Sequence, residues 1–175
     1  MTNALSLLDD PSEYFISAAG DTLYFIPPVG ADLRSPPQGQ GVFLSRHQHA
    51  HEMNDVSNVE LRGLHIAYAM DSAVLMHNVT NVQLSNCTIV ASGTDGVVLD
   101  GSNSSITSSR VSDVGCTAIR MTGGDIPSLT TGDLRVHNNS IHRFARVSRT
   151  KGFGVMWSGC GGSVTSNEIF DAPCI

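Results

Sequence analysis

Apolar residues recur along this chain in a fixed rhythm of short alternations separated by polar gaps. Asn58-Val59-Glu60-Leu61 returns 23 residues later as Asn81-Val82-Gln83-Leu84. Five residues after each leucine stands an isoleucine, Ile66 and Ile89. Eight further on comes Val74 or Val97, with Met76 or Leu99 two residues later. Ile106, Val111, Ile119 and Met121 repeat the spacing. Val136 and Ile141, then Val155 and Trp157, repeat it with the middle gap widened from eight residues to fourteen, and Val164 and Ile169 open a fifth copy. Self-similarity at such a period signals a solenoid.

The spacing selects the kind of solenoid. A period of 22–23 residues is too short for two antiparallel helices and a turn, which need roughly 33. The pairs Val59/Leu61, Val74/Met76, Val97/Leu99, Ile119/Met121 and Val155/Trp157 alternate with a period of two, as strands do. Gly, Asn, Ser and Thr fill the gaps, and these residues favour turns and weaken helices. Each copy therefore predicts one coil of a parallel β-helix. Leu61-Arg62-Gly63-Leu64-His65-Ile66 also fits the opening of a leucine-rich repeat. However, the column begun by Leu64 continues as Cys87, Ser109, Asn139 and Asn167. Stacked polar residues suit a ladder of amides bonded to backbone and to one another, and would be costly as the buried leucine of a horseshoe.

The expected architecture is all-β: an N-terminal β-hairpin followed by a right-handed parallel β-helix of about five coils, the last incomplete. Residues 1–41 hold the hairpin and a loop, and residues 42–175 the β-helix domain. Ser12 to Ile16 and Leu23 to Ile26 read as two strands around a Gly20-Asp21 turn, closed by Pro27-Pro28. Gly30 to Gly41 reads as a loop, Val42 to Ser45 as a short strand entering the solenoid, and 56–175 as the coils. His47, His49 and His51 alternate as a metal site on a strand would, but without a second ligand cluster the segment reads as a solvated loop. We expect no metal and no cofactor.

Charge and cysteines narrow the function. The net charge of −6 and the lack of a large basic patch argue against nucleic acid as a partner. No apolar run reaches the roughly 18 residues of a membrane span, and the first ten residues lack the basic and apolar regions of a signal peptide. The four cysteines (Cys87, Cys116, Cys160, Cys174) show no CxxC spacing. Cys87 falls in a core column and is expected to pack as a small apolar residue.

Candidate chemistry gathers in two enlargements of the repeat, expected on the same side of the solenoid: Gly123 to Asp133, and His142 to Lys151. Insertions in repeat proteins usually map to the binding face. The column two residues past each second-strand isoleucine reads Tyr68, Ala91, Asp113, Arg143, Asp171. Its two aspartates lie two coils apart, roughly 9.6 Å, near the upper end of the separation used by inverting glycosidases. A charge ladder that merely avoids like-charge stacking fits the column as well. Asp125, in the glycine turn, is a third carboxylate. Arg143, Arg146, Arg149 and Lys151 could hold an acidic sugar or phosphate, or form a solvated loop. Phe144 and Trp157 could stack on sugar rings, with core packing the better reading for Trp157.

Several of these stretches, taken in order, carry a resemblance: Glu13-Tyr14 to Leu23-Tyr24-x-x-Pro27-Pro28, Leu61-Arg62-Gly63-Leu64, Gly123-Gly124-Asp125, Asn139-x-Ile141-His142, Arg149-Thr150 and Ile169-Phe170-Asp171-Ala172-Pro173. Over nearly its whole length the chain resembles the right-handed parallel β-helix proteins related to glycoside hydrolase family 141. That resemblance implies action on cell-wall polysaccharide through paired carboxylates, an extracellular or cell-surface location, and Asp171 and Asp125 as leading catalysts, with Asp113 as the alternative. His142, Arg143, Arg146 and Arg149 are then substrate-binding candidates. Two rivals remain: a uronate lyase or epimerase using Arg143 and His142, and a non-catalytic glycan-binding or structural β-helix. The last turn offers only Ala172-Pro173-Cys174-Ile175, so these 175 residues alone are expected to form edge-to-edge oligomers or fray at the end, without activity.

Overall fold

The computed structural model describes residues 4–31, 33 and 42–173. The chain divides into two compact units, Met1–Phe43 and Leu44–Ile175. In the first, a short 3-10 helix (Leu5–Leu7) precedes strands β1 (Tyr14–Ile16) and β2 (Leu23–Phe25). They pair antiparallel, with Tyr14 opposite Phe25 and Ile16 opposite Leu23. Gly20, at φ +72°, lets the chain reverse between them, and the rings of Phe15 and Tyr24 pack 5.9 Å apart. The expected hairpin is present. Most of the Gly30 to Gly41 loop lies outside the described residues.

The second unit is a right-handed parallel β-helix, with fourteen strands among the described residues. They are β3 (His51–Asn54), β4 (Ser57–Arg62), β5 (His65–Ala69), β6 (Val74–Ser85), β7 (Thr88–Ser92), β8 (Val97–Ser102) and β9 (Ser105–Thr107), then β10 (Arg110–Val114), β11 (Ile119–Gly123), β12 (Arg135–His137), β13 (Ser140–His142), β14 (Val155–Gly159), β15 (Ser163–Thr165) and β16 (Glu168–Phe170). Each coil passes through three faces. The first holds β3, the start of β6, β8, β11 and β14. The second holds β4, the end of β6, β9, β12 and β15. The third holds β5, β7, β10, β13 and β16.

The register reproduces the apolar columns residue for residue. Met53, Met76, Leu99, Met121 and Trp157 stack on the first face. Leu61, Leu84, Ile106, Val136 and Val164 stack on the second, and Ile66, Ile89, Val111, Ile141 and Ile169 on the third. Met76, Leu84, Ile89, Leu99, Ile106, Ile119, Met121 and Ile141 are fully buried, each worth about 1.5–3 kcal/mol relative to exposure. Trp157 keeps its column but is 39 % exposed, with its ring against Gly162.

Polar residues turn the corners. Between the second and third faces, the Ser109 hydroxyl accepts from the Cys87 amide at 3.1 Å. Asn139 Oδ1 accepts from the Ser109 amide at 2.8 Å, and Asn167 Oδ1 accepts from the Asn139 amide at 2.9 Å. The polar column is therefore an inward ladder, as its composition predicts. Beside it, Gly63, Asn86, Ser108, Asn138 and Ser166 all take positive φ, a conformation that Gly and Asn enter at least cost.

Three expectations need correction. Val42 to Ser45 forms no strand: Val42, Phe43 and Leu44 are exposed and join no ladder. The solenoid begins instead at His51, whose strand pairs with Val74 onward. The two enlargements occupy different corners, 124–134 between the first and second faces and 143–154 between the third and first.

Candidate functional site

The third face ends at the column Tyr68, Ala91, Asp113, Arg143 and Asp171, each with φ between 49° and 63°. Tyr68 and Ala91 share this left-handed turn, so it belongs to the architecture and is no sign of catalytic strain. Its effect is to aim successive side chains out of the same corner. Backbone bonds tie the column together: the Arg143 amide donates to Asp171 O at 3.0 Å, and Val114 N to Arg143 O at 3.2 Å.

The enlarged loop folds back onto this corner. Ala145 N donates to Cys116 O, Arg146 N to Val114 O, and the amides of Val147 and Ser148 to Gly115 O. Phe144 and Ala145 are 6 % and 0 % exposed and join the core. Phe144 is thus an anchor for the loop, and the expectation that it stacks on sugar rings is corrected: burying it is what fixes Arg143 and Arg146 on either side.

Asp113 is held between two guanidinium groups. Arg143 donates Nε to Oδ1 at 2.7 Å and Nη2 to Oδ2 at 2.5 Å, and Arg146 Nη1 reaches Oδ1 at 3.0 Å. The Arg143 hydrogen bonds, aided by both positive charges, hold the carboxyl below its ordinary range despite partial burial. Asp113 in turn raises the pKa of Arg143. A carboxylate so engaged stays ionised and has no proton to give.

The group is depressed in the folded state, so its stabilisation is present above the unfolded pKa of about 3.9 and is lost as pH falls through the folded value. Asp113→Asn should therefore cost roughly 1 kcal/mol near neutral pH, as a partly exposed charged pair does. The deficit should begin to shrink as the melting temperature is followed below about pH 4 and vanish once the pH has passed the lowered folded value.

Arg143, Phe144, Ala145, Arg146, Arg149, Asp171, Ala172 and Pro173 line an open groove of about 350 Å³ at this corner. Asp171 and Arg149 are exposed, and neither side chain forms an ion pair or hydrogen bond among the described residues. Three guanidinium groups against the carboxylates of Asp113 and Asp171 leave one net positive charge here, on a chain of net charge −6. His142, immediately before Arg143, is 4 % exposed and stacks on Phe170 with centroids 4.9 Å apart. Burial first, then the charges of Arg110 and Arg143, lowers its pKa and keeps it neutral.

The structure thus brings together Asp113, His142, Arg143, Arg146, Arg149 and Asp171. It does not bring Asp125 to them. Asp125 lies past the end of β11, at the opposite end of the first face, where five residues of strand span roughly 16 Å. Its Oδ2 accepts from Ser128 N at 2.9 Å and Ser128 Oγ at 2.5 Å, closing a turn in which Asp125 and Thr130 pair. These bonds lower its pKa.

Sequence reasoning missed Arg110, which donates Nε to His142 Nε2 at 3.0 Å. The register was the available signal, because Arg110 stacks on Ser140, two residues before His142. Among the described residues only Asp9, Asp10 and Glu13 cluster as metal ligands would. Two backbone amides, of Asp9 and Asp10, already bind Glu13 there. The alternate histidines do not converge: His49 Nδ1 lies 3.1 Å from Ser72 O, and His51 opens β3.

Parallel coils with polar corner ladders define a right-handed parallel β-helix, with an open groove along one corner. Residues 72–173, more than half the chain, match the family described as right handed beta helix region, and the chain belongs to that family. No curated protein and no solved structure matches it. β-Helix domains of this kind are common in carbohydrate-active enzymes and glycan-binding proteins.

Proposed function

We propose that this protein is a carbohydrate-active β-helix related to glycoside hydrolase family 141, acting outside the cell or at its surface on acidic cell-wall polysaccharide. One observation carries the reading: Arg146, Arg149 and Asp171 line a single groove, with Asp113 fixed behind them by Arg143 and Arg146. Guanidinium groups match the geometry of a sugar carboxylate. In this reading Asp171 moves the proton at the glycosidic oxygen, and Asp113 is the permanently ionised partner, two coil rises or roughly 9.6 Å along the backbone. A separation of that order suits a water held between acid and base.

The complete ion pairing of Asp113 also favours a second reading, in which the arginines neutralise a uronate and a lyase removes the proton beside its carboxyl. Product analysis separates the two. The full-length protein, incubated with acidic and neutral wall polysaccharides, should release reducing ends from the acidic ones without forming an unsaturated product. Accumulation of a UV-absorbing unsaturated uronate would establish the lyase instead, and no cleavage of any acidic polymer would remove both.

A further inference from the structure

At the corner between the second and third faces lies another groove, of about 430 Å³, lined among others by Asn86, Thr88, Ser108, Arg110, Asn138 and Ser140. Its walls are hydroxyls and amides, and its one charged group is Arg110. That residue alternates with the buried Val111 on β10, so its side chain points outward and is exposed. Surface arginines commonly pair with carboxylates, which cancels much of their charge. Arg110 does not: among the described residues its only side-chain partner is Nε2 of His142.

An arginine Nε only donates, so His142 Nε2 must accept, and the imidazole proton belongs on Nδ1. That Nδ1 is buried without a partner, and leaving a buried donor unsatisfied is costly. The imidazole is pinned on the other side by its stack on Phe170. A buried polar atom left unsatisfied in a well-ordered ladder calls for an explanation. The arrangement fixes the Arg110 fork with a neutral acceptor, leaving its charge uncompensated and its two terminal nitrogens free.

We propose that Arg110 is the anion-reading residue of a second glycan subsite, which takes the carboxylate of a uronate residue, and that His142 positions it. The two grooves lie at opposite ends of the third face, whose strand β13 is only three residues long, roughly 10 Å. An acidic oligosaccharide laid across this face contacts both. The inference rests on the acidic-glycan reading of the first groove and extends it to chain length and charge spacing.

Calorimetric titration of the full-length protein with galacturonate and with trigalacturonate provides the test. For trigalacturonate, Arg110→Gln should weaken binding about tenfold and reduce its salt dependence, with a smaller loss for galacturonate, which engages one groove at a time. His142→Phe keeps the stack but removes the acceptor. It should weaken trigalacturonate binding in the same direction, and add little further loss when combined with Arg110→Gln. Arg110→Lys, which keeps the charge without the fork, should recover only part of the affinity. Weaker binding in Arg146→Gln with none in Arg110→Gln would overturn this subsite while leaving the first groove intact. The reverse pattern would support this subsite and remove the first.

Discussion

In the full-length protein, Asp171→Asn should lower turnover on an acidic oligosaccharide by about 10²–10⁴-fold, the range contributed by one positioned acid or base. Asp171 lines the groove, is exposed, and its carboxylate holds no ion pair or hydrogen bond among the described residues. Its left-handed backbone is one that asparagine adopts readily, so the melting temperature should stay where it is. Asp125→Asn makes the contrast. That carboxylate closes its own turn at another corner, and its loss should leave turnover within a few-fold of native while loosening the 124–134 loop. Steady-state kinetics alongside thermal melts separate the outcomes. Near-normal turnover in Asp171→Asn would take it out of the chemistry.

Asn139→Ala should be the most damaging single change to the fold that leaves the groove residues untouched. Asn139 is 2 % exposed. Its Oδ1 accepts from Ser109 N, and its Nδ2 donates to Ile106 O and Asn167 Oδ1, both at 3.0 Å. Truncation strips a side-chain partner from two buried backbone groups at about 1–3 kcal/mol each, so a loss of about 3 kcal/mol is expected. Solenoid coils are stabilised by their neighbours, and the damage should spread along coils three to five. Asn138→Gly, one residue earlier, removes an exposed amide at a left-handed position where glycine is at ease. It should melt within about 1 kcal/mol of native. Urea unfolding of the two variants checks the contrast, and equal stability would show that the inward ladder is not what holds the corner.

The apolar columns were legible because each coil writes the same strand positions at nearly the same interval, and parallel stacking turns an interval into a contact. The polar ladder was legible for the same reason: Ser109, Asn139 and Asn167 recur where apolar residues would otherwise stand. Asp113 beside Arg143 followed from the same arithmetic. The first strand was missed because His51-Glu52-Met53-Asn54 has one inward apolar residue, too little for an alternation to register. The side shared by the two enlargements was misjudged, although spacing held the answer. One adds residues between Met121 and Val136 and the other between Ile141 and Val155, and gaps that grow at different points of a coil grow at different corners. Phe144 could not be assigned from spacing at all. An aromatic within a basic loop reads as exposed, and only the fold of that loop onto Val114–Cys116 shows it entering the core.

The central claim is that the groove beside the third face holds an acidic sugar through Arg146 and Arg149. Its most direct test is titration of the full-length protein with trigalacturonate at low and high salt, for the native chain and for the Arg146→Gln/Arg149→Gln double variant. Exposed charges are screened over about 8–10 Å near physiological salt. Native affinity should therefore fall as salt rises, and the double variant should bind at least about tenfold more weakly with a flatter salt response. Equal affinities with the same salt dependence in both proteins would contradict the account.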